Sequence, residues 1–157
     1  MLPRRKIHMF RVLALACLSL PVMAGAVWAE ETLVVDDLGH YRWKNRLLFL
    51  FSPSPDMPDY RALSKDLAGN PGGVRDRDLL VFHILEQGPS LMGSREINSQ
   101  AAENLRRRFG VRQGAFTVVL VGKDGGVKLQ QSGPVTSAEI FGLIDSMPMR
   151  QREMLGK

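Results

Sequence analysis

Cysteine is almost absent from this sequence: the 157 residues contain one, Cys17, and it lies inside an apolar N-terminal stretch. If that stretch is removed, the remaining chain has no thiol, which excludes disulfide staples and thiolate nucleophiles and leaves packing to hold the domain together. Histidine is nearly as scarce. His40 and His83 are the only two beyond the stretch, and they fall in unrelated elements without the spacing of a metal site, so neither a metal nor another cofactor is expected. No internal repeat or low-complexity tract is visible.

The N-terminal stretch has the organisation of an export signal. Arg4, Arg5, Lys6 and Arg11 form a positive region, Val12 to Ala29 carries no charge, and the small residues near Ala29 fit cleavage between Ala29 and Glu30. A second small-residue site, Ala24-Gly25-Ala26, would place the junction near Val27. Two alternatives stand beside cleavage. An uncharged run approaching ~18 residues can span a bilayer if it is retained, which would be the protein's sole membrane contact, and Ala14-Leu15-Ala16-Cys17 faintly matches the motif that precedes an acylated cysteine. Pro21, Gly25 and the small residues around them favour cleavage. The expected destination is the periplasm or the extracellular space.

Removal of residues 1–29 changes the charge more than the size. It lowers Lys plus Arg from 21 to 17 against an unchanged 16 Asp plus Glu, so the balance falls from +5 to +1. The basic pI therefore belongs largely to the export segment, and nucleic acid loses its support as a partner. Residues 30–37 read as a short lead-in, residues 38–149 as one domain of ordinary size, and residues 150–157 as a polar tail.

Within the domain, strand and helix patterns alternate. Arg46 to Phe51 is an apolar run suited to a buried strand, stopped by Ser52-Pro53-Ser54-Pro55. A helix is expected from Asp56 or Pro58, with Tyr60, Leu63 and Leu67 on one face, ending at Gly69-Asn70-Pro71-Gly72-Gly73. Leu79 to Leu85 reads as a second strand. After a loop through Gly88, Pro89 and Gly93, a second helix carries Ala101, Ala102, Leu105 and Phe109 at helical spacing, with Gly110 as its cap. Phe116 to Val121 and Val127 to Gln131 form an antiparallel pair around Asp124-Gly125. Thr136 and Glu139 form a capping box for a last helix that Pro148 ends. The order is βαβαββα, an α/β fold with a four-stranded mixed sheet and helices on both faces.

That order resembles the thioredoxin fold, and Phe109-Gly110-Val111-Arg112 before Phe116-Thr117 is similar to the entry to the third core strand of thioredoxins. Trp43-Lys44-Asn45-Arg46, Gly122-Lys123-Asp124-Gly125-Gly126-Val127-Lys128 and Ile144-Asp145-Ser146-Met147-Pro148-Met149-Arg150-Gln151 together resemble the bacterial domain-of-unknown-function family 4174, relatives of the DUDES domains of extracellular-matrix proteins. The likeness spans roughly Leu38 to Met154. It implies a thioredoxin-like fold and an exported location, and no activity.

Measured against thioredoxins, the first helix opens on Ser52-Pro53-Ser54-Pro55-Asp56-Met57 where the redox thiols would stand, and a serine of ordinary acidity cannot replace a thiolate. Phe116 occupies about the place of the thioredoxin cis-proline, and a trans peptide is expected there. Ser54, Asp56 and His83 could be drawn as a hydrolase triad, but no nucleophile-elbow motif supports it; His83 reads more plainly as a packed or hydrogen-bonded strand residue. Arg75-Asp76-Arg77-Asp78 reads as a solvated strand entrance that discourages edge pairing. Arg106-Arg107-Arg108 reads as a solvated helix end complementing the dipole, with an anion site as the alternative. The favoured function is an exported, non-catalytic module that binds a protein or peptide where the 52–57 turn meets the 114–117 loop, through Ser54, Asp56 and Phe116. The alternative is an enzyme of peroxiredoxin or reductase ancestry with cysteine-independent chemistry.

Overall fold

The computed structural model describes residues 38–156; the export segment, Cys17, the Ala29–Glu30 junction and the lead-in lie outside the described residues. A short 3-10 turn, Leu38–Tyr41, leads into β1 (Arg46–Ser52), α1 (Pro58–Gly69), α2 (Pro71–Asp76) and β2 (Leu79–Leu85). A small hairpin, β3 (Ser90–Met92) and β4 (Arg95–Ile97), precedes α3 (Ser99–Arg108). Then come β5 (Thr117–Val121), β6 (Val127–Ser132), α4 (Ser137–Asp145) and α5 (Pro148–Leu155).

The sheet has six strands in the order β4-β3-β2-β1-β5-β6, with β1 and β2 parallel and every other pair antiparallel. This corrects the expectation of four strands. The additional pair is three residues per strand, too short for a period-2 pattern to show: β3 lies along the free edge of β2, and Gly93, at φ 61, folds β4 back onto β3.

All seven residues of β1 are buried, because helices cover both faces of the sheet and alternate side chains enter different cores. Leu47, Phe49 and Phe51 point to the face covered by α3, where they meet Phe82, Ile84 and Leu105. Leu48 and Leu50 point to the face covered by α1 and α4, among Leu63, Ile140 and Ile144. The aromatic side is the tighter network: Phe49 stands 4.7 Å from Phe82 and 5.1 Å from Phe109, centroid to centroid.

The expected helix-end signals at Gly110 and Thr136 hold. Gly110, at φ 61, ends α3; the start of that helix is capped by Asn98, which accepts from the Ala101 amide at 2.7 Å. Thr136 and Glu139 close their capping box at α4. Three other expectations are corrected. The first helix does end at Gly69, but Pro71-Gly72-Gly73, read only as a terminus, opens α2, because proline is well suited to a first helical turn. Pro148 likewise begins α5 rather than ending α4, so the residues read as a polar tail are helical through Leu155, and Arg150 is 3 % exposed.

The alternating charges at 75–78 are also not a free solvated strip, because α5 and its neighbours dock against them. Arg77 donates to Asp145, Arg150 donates to Asp76, and Lys123 Nζ reaches Asp78 at 2.8 Å. Arg46, 1 % exposed, is held by Glu153 of α5 at 3.2 Å and donates to the Arg77 carbonyl at 2.9 Å. A sequence pattern alone does not show α5, whose apolar content is low.

Candidate functional site

The parallel strands β1 and β2 end side by side, and two loops meet there. The turn after β1 is fixed by Ser52, whose buried hydroxyl donates to the Ser54 carbonyl at 2.8 Å. The start of the β2–β3 loop then lies against that turn: the Glu86 amide donates to the Ser52 carbonyl at 3.0 Å and the Gln87 amide to the Pro53 carbonyl at 3.1 Å. The loop before β5 joins through the Glu86 side chain, which accepts from the Gly114 amide at 2.9 Å. Glu86 thus ties both loops to the strand end.

The same carboxylate oxygen accepts from Arg106 at 3.1 Å. Arg106 is 4 % exposed, with its guanidinium 5.7 Å from the Phe51 ring centre and its Nε 3.9 Å from Glu103. Of the basic run in α3, Arg107 and Arg108 are exposed and follow the expectation for a solvated helix end; Arg106 does not. It stands one turn beyond Ala102 on the buried face of α3, and this placement is the signal by which sequence reasoning could have found it. Beside this pair a cleft of about 390 Å³ opens between α3 and the β3–β4 hairpin, lined by Glu86, Ser90, Glu96, Glu103, Arg106 and Gln113 among others.

Of the three residues expected to form the binding surface, two are at the pole and available. Ser54 is half-buried and Asp56 exposed. Phe116 is placed differently: it is 3 % exposed and packs with the aliphatic core beneath α1 and α4. Its peptide bond is trans, as is every other among the described residues.

The three residues of the drawn triad are not brought together. His83 faces α1, and its Nδ1 lies 3.0 Å from the Tyr60 hydroxyl, so it is a packed, hydrogen-bonded strand residue. Burial pushes the imidazole below its ordinary pKa and the Tyr60 phenol above its own. Among the described residues no three His, Cys, Asp or Glu side chains are grouped so as to hold a metal ion, and no helix is long and apolar enough to cross a membrane.

Residues 37–153 match the family described as Domain of unknown function (DUF4174). The chain belongs to this family. Two animal relatives of the DUF4174 domain are similar in sequence. Sushi repeat-containing protein SRPX2 of Xenopus laevis is 28% identical over 114 residues, covering 71% of this chain and 25% of that protein. Coiled-coil domain-containing protein 80 of Danio rerio is 28% identical over 133 residues, covering 74% of this chain and 15% of that protein. The chain therefore spans a quarter or less of the length of these relatives.

Among solved structures, the fold is similar to the reduced 2-Cys peroxiredoxin of Plasmodium vivax, with TM-score 0.56 and 14% identity over 73% of this chain and 84% of that one. It is equally similar to thioredoxin peroxidase I of Plasmodium yoelii, with TM-score 0.56 and 16% identity over 76% of this chain and 81% of that one. The DUF4174 domain has a thioredoxin-like α/β fold.

Proposed function

We propose that this protein is an exported module that binds a protein or peptide segment at the end of the sheet where the 52–57 turn and the loop before β5 meet, without thiol chemistry. The observation that carries the proposal is the position of Glu86. Its backbone amide holds the 52–57 turn at the Ser52 carbonyl, while its carboxylate accepts from the Gly114 amide and from Arg106, so the surface is organised before a ligand arrives, which lowers the ordering cost of binding.

The chemistry of the surface suits a peptide. Glu86, Glu96 and Glu103 outnumber Arg106 in the cleft, and exposed Asp56 lies on the neighbouring turn, which favours a partner carrying a basic side chain. Export rests on the N-terminal charge and apolar pattern.

The test is capture from the native envelope or medium with the exported protein as bait, followed by affinity measurement with whatever is retained. Ser54→Arg and Asp56→Arg should weaken binding while leaving the melting transition in place. Unchanged affinity in both variants removes this surface as the site. Catalytic turnover by the purified, cysteine-free chain would replace the binding module with an enzyme.

A further inference from the structure

The opposite end of β1 carries a second cleft, of about 650 Å³, between the Leu38–Tyr41 turn, the end of α3 and the β5–β6 hairpin. Its volume lies within the ~300–1,000 Å³ of ordinary ligand sites. The floor is apolar: Leu38, Leu47 and Val121 are among its buried residues, with Phe109 half-buried beside them. Val127, 50 % exposed, forms part of the lip.

The charge of the lining is positive and uncompensated. Arg42 and Arg108 both line the cleft, and among the described residues neither forms an ion pair with a carboxylate. The one acidic residue in the lining, Asp124, is already engaged by Lys128 Nζ at 2.6 Å and by the Gly126 amide at 3.0 Å.

The adjacent Trp43 is held in an unusual way. It takes φ 66, a left-handed conformation that bulky residues avoid, and its amide donates to the Lys123 carbonyl at 2.7 Å. The result is an indole 61 % exposed, with the Arg42 guanidinium 5.0 Å from its ring centre. A strained backbone that displays a large aromatic beside a guanidinium unpaired with any described carboxylate, next to a cleft with an apolar floor, is the composition of a recognition surface.

From the cleft, its unpaired arginines and Trp43, we infer that this end of the domain binds an acidic peptide segment of a partner protein. Aliphatic side chains occupy the floor, flanking carboxylates meet Arg42 and Arg108, and Trp43 closes over the backbone. This surface is separate from the sheet end assigned above and has the opposite charge, so the two ends address different partners.

The test uses the full chain and two fluorescent synthetic peptides: a Leu-Val-Val core flanked by Glu and Asp pairs, and the same core flanked by Lys pairs. Anisotropy should show saturable binding of the acidic peptide, weakened by added salt, and none of the basic one. Arg42→Glu combined with Arg108→Glu should weaken binding at least tenfold, and Trp43→Ala by several-fold, each with an unchanged melting temperature. Binding that survives the double arginine variant overturns the inference, as does failure of the wild-type chain to bind the acidic peptide. Loss of binding in Ser54→Arg would assign the acidic peptide to the other sheet end. Complete displacement by decanoate would assign the cleft to a small anionic amphiphile instead.

Discussion

Arg46 and Glu153 meet at 3.2 Å across 107 residues of sequence, joining the first residue of β1 to the last helix. Arg46 is 1 % exposed, and Glu153 also accepts from Lys123 at 2.7 Å. Removing one partner of a buried pair leaves the other charge stranded. Glu153→Ala should therefore destabilise the domain by about 2–3 kcal/mol, less than a fully buried pair would because the carboxylate is partly solvated. Urea unfolding measures this directly; a loss under about 0.5 kcal/mol would mean that α5 is not fastened through this pair.

Acid should loosen the same end. Burial opposes ionisation of Glu153, but the bonds from Lys123 and Arg46 outweigh it and hold the carboxyl below its ordinary 4.5. At Asp145, burial is likewise outweighed by Arg77 and Arg150, holding it below 3.8. A carboxylate with a depressed folded pKa binds its proton more readily when unfolded, so its stabilising effect is present above the ordinary pKa and is lost as the pH falls through the folded value. The melting temperature should fall as the pH drops below about 4.5, and the Glu153→Gln, Asp145→Asn double variant should show a shallower acid slope. Identical slopes would place the acid sensitivity elsewhere.

His83 adds a component at milder pH. Desolvation by burial lowers its pKa from 6.5, so the neutral form fits the fold and the unfolded chain takes up the proton first. This contribution is complete above pH 6.5 and declines as the pH falls from there toward the lower folded value. His83→Leu should remove that part of the stability profile. The measurement is a series of melts through the range, and a wild-type profile flat below pH 6.5 until the carboxylates titrate contradicts it.

Glu86→Ala should free the loop before β5. The Gly114 amide loses its acceptor, and hydrogen exchange there should quicken by about tenfold or more, the equivalent of ~1.4 kcal/mol of lost local protection. Amides in the centre of β1 should change less than Gly114. Equal acceleration at both places would mean that the substitution unfolds the domain as a whole rather than releasing the loop.

Phe116→Ala should unfold rather than merely weaken binding. A phenyl ring 3 % exposed in the α1–α4 core costs about 3–5 kcal/mol when truncated to Ala. A variant that melts like the wild type but loses a partner would return Phe116 to the binding surface.

The sequence made the central strands, the capped helices and the Asp-Gly hairpin legible because each has a strong local cause. Apolar runs at 46–51, 79–85 and 116–121 are visible without any knowledge of their neighbours, as are Thr136 and Gly110 at helix ends. The β3–β4 hairpin and α5 have no such cause. Their residues are ordered by an open strand edge and, for α5, by ion pairs to Asp76 and Arg46, 74 and 107 residues away, information that no local window contains. At the candidate site, Ser54 and Asp56 could be placed from the β1–α1 junction alone. Glu86 could not, since its importance comes from a loop and a helix converging on its carboxylate while its amide holds the 52–57 turn.

The central position of β1 has a consequence for the chain before it folds. Its parallel neighbour begins at Leu79 and its antiparallel neighbour at Thr117, so both edges of RLLFLFS remain open until distant segments have been made and brought in. Such a segment, rich in Leu and Phe with a single charge and no proline, is a template for pairing with other chains while it waits. Arg46 at one end and Pro53 and Pro55 just past the other bracket it as gatekeepers, limiting how far a foreign strand can extend along it.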